Sequence, residues 1–201
     1  MSLEVVSLAL GDYRTNCYLM AREGSRQAVV IDPGDTAELV LETLRERGWS
    51  AAAILVTHGH LDHIGAVKDL AEATAAEVWM ARGDADDLRG FAPAPYQPEH
   101  LVGGGETVSV AGIDFRTFDV PGHTAGSVAF AADGIAFVGD VLFAGSVGRS
   151  DLPGGDHTRL IESISLLIRE LPPETVVASG HGPATTLAGE LATNAFLDGL
   201  R

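Results

Sequence analysis

The chain has 201 residues, 46% apolar and 20% charged, which is enough to bury a core and too apolar for a disordered segment. Its 13 Lys and Arg stand against 28 Asp and Glu, a formal net charge of -15. Such a surface repels phosphate backbones and anionic bilayers, so neither nucleic acid nor a membrane is expected as a partner. At this length a single domain spanning 1–201 is expected, and a homo-oligomer is compatible with it. The segment Met1 to Leu10 lacks the basic region and long apolar core of a secretory signal. No apolar run approaches the ~18 residues that span a bilayer. The lone Cys17 cannot close an internal disulfide and reads as a small buried hydrophobe, so a cytoplasmic protein is expected.

In chain order, Cys17 to Met20 and Ala28 to Ile31 read as strands, the second ended by Asp32-Pro33-Gly34. Asp35 and Glu38 have capping-box spacing before a helix carrying Ala37, Val40, Leu41 and Leu44, which Gly48 stops. Ala51 to Val56 is a short buried strand, Gly65 to Ala75 a helix, and Val78 to Met80 a strand. Arg89 to His100, with Pro93, Pro95 and Pro98, reads as a loop. Two hairpins follow, Thr107 to Val110 with Ile113 to Val120, and Val128 to Ala131 with Ile135 to Val138. Asp156 is placed to cap a helix carrying Leu160, Ile161, Ile164, Leu167 and Ile168, beyond which Pro172-Pro173 lies. Thr175 to Ala178 is a strand and Leu187 to Leu200 a closing helix. Two sheets between helix layers satisfy this α/β (α+β) pattern.

Four of the strands share a feature. Ala51 to Val56 runs into His58, His60, Asp62 and His63; the strand ending at Val120 into His123; Ile135 to Val138 into Asp140; Thr175 to Ala178 into His181. Loops at strand ends collect functional groups because rigid strands aim them. Imidazole and carboxylate are ligands for zinc or iron. One ion is expected on His58, His60 and His123, a second on Asp62, His63 and His181, with Asp140 bridging. Such a pair would activate a bridging hydroxide and polarise a carbonyl. Of the other histidines, His100 follows the Pro-rich loop and His157 opens a helix, and both read as surface residues. Gly103-Gly104-Gly105 lacks phosphate-loop spacing. Asp32 reads as a turn cap or as a group orienting a ligand histidine. Arg149 could hold a substrate anion or pair with Asp151.

Thr57-His58-Gly59-His60-Leu61-Asp62-His63, Pro121-Gly122-His123-Thr124, Gly139-Asp140 and Gly180-His181-Gly182 resemble the metallo-β-lactamase superfamily over nearly the whole chain. Thr15-Asn16-Cys17-Tyr18-Leu19, Ile31-Asp32-Pro33-Gly34 and the run from Gly139 through Gly148-Arg149-Ser150-Asp151 to Asp156 resemble its hydroxyacylglutathione hydrolase (glyoxalase II) branch. The resemblance implies a four-layer αββα sandwich and two divalent ions, zinc first, with iron or manganese as alternatives. It also implies hydrolysis of a small-molecule thioester such as S-lactoylglutathione, with Asp62 steering the proton of the hydroxide. The basic C-terminal helical region that holds glutathione in full glyoxalase II enzymes has no counterpart before Arg201, so weak dependence on the glutathione portion is expected. Persulfide dioxygenases resemble the same pattern and use one iron, here on His58, His123 and Asp140. A lactonase-type ester hydrolase is a further alternative.

Overall fold

The computed structural model describes residues 2–90 and 95–201. A six-stranded sheet takes β1 (Leu3–Leu10), β2 (Thr15–Arg22), β3 (Gln27–Ile31), β4 (Ser50–Val56), β5 (Glu77–Ala81) and β6 (His100–Val102) in sequence order. Its first three strands are antiparallel and the rest parallel. The parallel half is connected through α1 (Ala37–Arg47), α2 (Leu61–Ile64), α3 (Val67–Thr74) and α4 (Ala85–Gly90). The second sheet is built from β7 (Thr107–Val110), β8 (Ile113–Asp119), β9 (Val128–Ala132) and β10 (Ile135–Gly139). A small hairpin, β11 (Leu142–Phe143) with β12 (Ser146–Val147), then leads to α5 (His157–Glu170). β13 (Val176–Ser179) and β14 (Thr185–Thr186) complete the second sheet, whose order is β14-β13-β10-β9-β8-β7. α6 (Leu187–Thr193) follows it.

Side-chain alternation explains why these strands are near-continuous apolar runs. On β2, Cys17, Leu19 and Ala21 face a core shared with α1 and α3, while Tyr18 and Met20 face the other sheet. On β9, Ala129 and Ala131 meet the α5 layer, and Val128, Phe130 and Ala132 meet the first sheet. A strand covered on both faces must be apolar at every position. Three cores result, one between the sheets and one under each helix layer, which is the αββα order of layers. Each fully buried Leu, Ile or Phe in them contributes about 1.5–3 kcal/mol over its exposed state.

Several boundaries differ from the sequence reading. Leu3–Leu10 is an edge strand whose mixed exposure gave no clean alternation. The predicted Gly65 to Ala75 helix is found as α3, Val67–Thr74, and is preceded by a short helix not expected from the sequence: α2 starts at Leu61, inside the histidine motif, with His60 at its N-cap. The α1 cap is Thr36 in the left-handed region without a side-chain cap bond, and Asp35 instead accepts from the Thr36 amide at 2.5 Å. Gly48 does end α1. Asp156 does cap α5, accepting from the Arg159 amide at 3.1 Å. The predicted loop from Arg89 to His100 is shorter than expected. Arg89 and Gly90 close α4, His100 opens β6, and Pro93 lies outside the described residues. The closing helix breaks at Asn194, whose side chain accepts from the Phe196 amide at 3.0 Å and donates to Ser146 O at 3.0 Å. Those local bonds compete with the helix ladder.

Candidate metal centre

Seven side chains converge where the two sheets meet at the carboxyl ends of their strands. The loop after β4 brings His58 and His60, and α2 brings Asp62 and His63. From the second sheet, the loop after β8 brings His123, the end of β10 brings Asp140, and the end of β13 brings His181. His60 Nδ1 lies 3.2 Å from His58 Nε2 and 2.8 Å from His123 Nε2. His181 Nε2 lies 3.2 Å from Asp62 Oδ2, and His63 Nε2 lies 3.8 Å from the same oxygen. Asp140 stands between these groups. Its Oδ1 is 3.4 Å from His63 Nε2, and its Oδ2 is 3.4 Å from His181 Nε2 and 3.6 Å from His123 Nε2. His58, His60 and His123 form one group whose ligand atoms all lie within 4.8 Å of one another; Asp62, His63 and His181 form another.

Hydrogen bonds behind the cluster decide which ring nitrogen faces inward. His63 Nδ1 donates to Asp32 Oδ2 at 2.9 Å, and His123 Nδ1 donates to the Arg149 carbonyl at 2.8 Å. Thr57 Oγ1 donates to Asp32 at 2.7 Å, which leaves it to accept from His58 Nδ1 at 3.0 Å. Each Nδ1 is thereby committed to a bond behind the cluster, and each Nε2 faces into it. Asp32 thus orients two of the histidines, one directly and one through Thr57. The third compact set, Asp32, His58 and His63, is explained by these bonds.

The donor set fits divalent metal. His63 Nε2 and Asp140 Oδ1 are buried and have no hydrogen-bond partner. An orphaned imidazole nitrogen and carboxylate oxygen 3.4 Å apart are costly unless something positive lies between them. Burial, with His63 next in weight, pushes His58 well below the usual imidazole value, and burial with His123 lowers His60. Burial also opposes charge on His63, but Asp32 and Asp140 hold it up at about 10. Asp140 and Asp62 raise His181 to about 9. Burial pushes both carboxyls up, yet His181 and His63 hold Asp140 well below the carboxylate range and Asp62 at about 2.

Arg149 is exposed and forks onto Asp151 at 2.8 and 2.9 Å. Cys17 is fully buried, and burial raises its thiol well above the ordinary value. His157 is exposed at the start of α5. His100 stacks on Trp79 at 3.9 Å and pairs with Glu77 at 2.8 Å. Two supporting residues went unsingled in the sequence: Thr15, whose hydroxyl donates to Asp62 Oδ2 at 2.8 Å, and the buried Asp84. Thr15 opens one of the stretches that carried the resemblance, which was the available signal.

Fold and site together define a metal-dependent hydrolase of the αββα kind. The family described as the metallo-beta-lactamase superfamily matches residues 10–181, and the chain belongs to it. It is 31% identical to the hydroxyacylglutathione hydrolase GloC of Haemophilus influenzae over 98% of this chain and 99% of that one. Among solved structures, TTHA1623 in a di-iron-bound form superposes with a TM-score of 0.87 at 38% identity, covering 96% of this chain and all of that one. ETHE1 from Myxococcus xanthus superposes with a TM-score of 0.82 at 29% identity, covering 98% and 85%. No helix among the described residues is long and apolar enough to cross a membrane.

Proposed function

We propose that the protein is a dinuclear metallohydrolase that cleaves small acyl thioesters. The observation that carries this reading is Asp140, a single carboxylate within 3.6 Å of His63, His181 and His123, so that it reaches both groups of donors. In this reading His58, His60 and His123 hold one ion, Asp62, His63 and His181 the other, and Asp140 both. Two bound ions supply Lewis acidity, lowering the pKa of water and polarising the thioester carbonyl. The rest falls to the chain. Asp62, held ionised and anchored by Thr15, orients the proton of the attacking water. The departing thiolate needs little help, because a thiol is far more acidic than an alcohol or amine.

Substrate preference follows from the cavity that Asp62 borders. It has a volume of about 700 Å³ and is lined by Leu10, Leu61 and Ala66 and by the exposed carboxylates Asp35, Glu38 and Asp69; of the seven clustered residues it meets Asp62 alone. These exposed carboxylates disfavour the two carboxylates of a glutathione thioester, so we propose weak use of the glutathione portion. Arg149 is our candidate anion contact, in competition with its fork to Asp151.

The test is kcat/KM for S-lactoylglutathione beside a truncated lactoyl thioester, on protein whose metals have been counted, with oxygen uptake on glutathione persulfide measured in parallel. Two ions per chain and similar values for both thioesters are expected. One iron with persulfide-dependent oxygen uptake would replace this reading with a dioxygenase. A thousandfold preference for the glutathione form would overturn the substrate proposal.

A further inference from the structure

The three histidines of the first group come from different sheets, so something must set their spacing. Asp84 is 5% exposed, just after β5, and its side chain hydrogen-bonds to their neighbours rather than to the histidines themselves. Its Oδ2 accepts from the Gly59 amide at 3.2 Å and from Thr124 Oγ1 at 2.5 Å. Gly59 lies between His58 and His60, and Thr124 directly follows His123. Ser127 Oγ, 2.6 Å from Thr124 Oγ1, donates to it and holds that hydroxyl in place. The two loops leave no slack. A Cβ on Gly126 would come within 2.3 Å of Asp84 Oδ1 and 2.6 Å of the Asp84 amide nitrogen, so the second loop rests directly on residue 84. One buried carboxylate therefore ties the neighbours of all three histidines across the junction of the sheets.

We infer that Asp84 is a positioning residue that sets the distance between His60 and His123 and thereby the affinity of the His58-His60-His123 ion, without touching that ion. The inference rests on reading those three histidines as ligands of one ion. Removing the carboxylate frees both loops at once. A misplaced supporting partner typically costs a metal site about 10–100-fold in affinity. The Asp62-His63-His181 group has no bond to Asp84 and should be spared. Asp84→Asn keeps an acceptor oxygen for both donors and should largely rescue the spacing.

The experiment is a zinc titration against a chromogenic chelator on wild type, Asp84→Ala and Asp84→Asn. Cobalt(II) absorption spectra and melting temperatures of the metal-free proteins are read beside it. The wild-type count of ions tests the dinuclear reading; the difference between variant and wild type tests Asp84. The expected result is one ion weakened about 10–100-fold in Asp84→Ala, the other unchanged, and near-normal binding in Asp84→Asn. A merely structural role would lower the metal-free melting temperature and weaken both ions alike, and that outcome overturns the inference. So does unchanged affinity for both ions. If wild type holds one ion, the dinuclear reading fails, and Asp84 still stands or falls on whether Asp84→Ala weakens that ion. Should Asp84→Ala not fold, Thr124→Val removes the shorter of the two bonds and must show the same selective loss.

Discussion

Gly180 sits beside the centre of the histidine cluster, and replacing it by alanine is the sharpest perturbation the structure offers. A Cβ there would lie 2.2 Å from Asp140 Oδ1, 2.6 Å from His63 Cε1 and 3.1 Å from His63 Nε2. The backbone at 180 is not in the left-handed region, so alanine is tolerated conformationally and the whole effect is steric. The residue cannot retreat, because its amide donates to the Gly139 carbonyl at 2.8 Å and its carbonyl accepts from the Asn16 amide at 2.7 Å. Asp140 or His63 must therefore move by about 1 Å to restore van der Waals separation. Overpacking of this kind costs about 1–3 kcal/mol of stability, a fall in melting temperature of roughly 2–12 °C for a chain of this size. A shift of about 1 Å in a reacting constellation costs on the order of a hundredfold in rate. The assay is metal content per chain together with kcat/KM on the truncated thioester, with Gly199→Ala as control, since a Cβ on Gly199 meets nothing within 4 Å. A folded Gly180→Ala protein with wild-type metal content and kcat/KM within about threefold of wild type would refute the reasoning, because it would leave no catalytic role for the positions of Asp140 and His63.

Asp140→Ala should lose both ions and at least about a thousandfold in kcat/KM, a loss of several kcal/mol of charge stabilisation, and metal analysis of the purified variant checks it. Asp32→Ala frees His63 and Thr57 together and should weaken metal binding by about 10–100-fold in a chelator competition. His63 and His181 are raised to about 10 and 9, above the usual imidazole value, so the metal-free protein carries both protons at pH 7. Metal must displace them, so uptake at pH 7 should release about two protons, and affinity should rise with pH until those values are passed. Calorimetry in buffers of different ionisation enthalpy reads the number; zero release would contradict the assignment. His157→Ala and His100→Ala should leave kcat/KM within about threefold of wild type, the behaviour of surface positions outside the site.

Short range and long range were legible to different degrees. His58, His60, Asp62 and His63 lie in one six-residue run, and periodicity located the strands that end at His123, Asp140 and His181, so the cluster could be drawn before its geometry was known. Asp32 could be read only as a turn cap or as a group orienting a histidine, and its bond to His63 Nδ1 fits the second. Asp84 could not be read so. Its partners are 25 and 40 residues away, and an aspartate in an Ala81-Arg82-Gly83-Asp84 stretch looks like any helix-start carboxylate. The edge strand Leu3–Leu10 escaped because apolar Val5 and Ala9 occupy exposed positions and blur its alternation. The short helix α2 escaped because it is only four residues long, below what helical periodicity can register.

The parallel pairing of β10 with β13 has a consequence for how the protein matures. During synthesis the first sheet and the run from His58 to His63 leave the ribosome well before Asp140, and His181 emerges last of the seven. An ion captured early would find an incomplete set of donors and exchange freely. Only when β13 has docked beside β10 does Gly180 donate to Gly139 and carry His181 into place. On the proposed assignment, tight metal retention would in this sense report that the chain has folded past residue 181: a polypeptide truncated before that residue lacks His181 and would not hold the proposed second ion firmly.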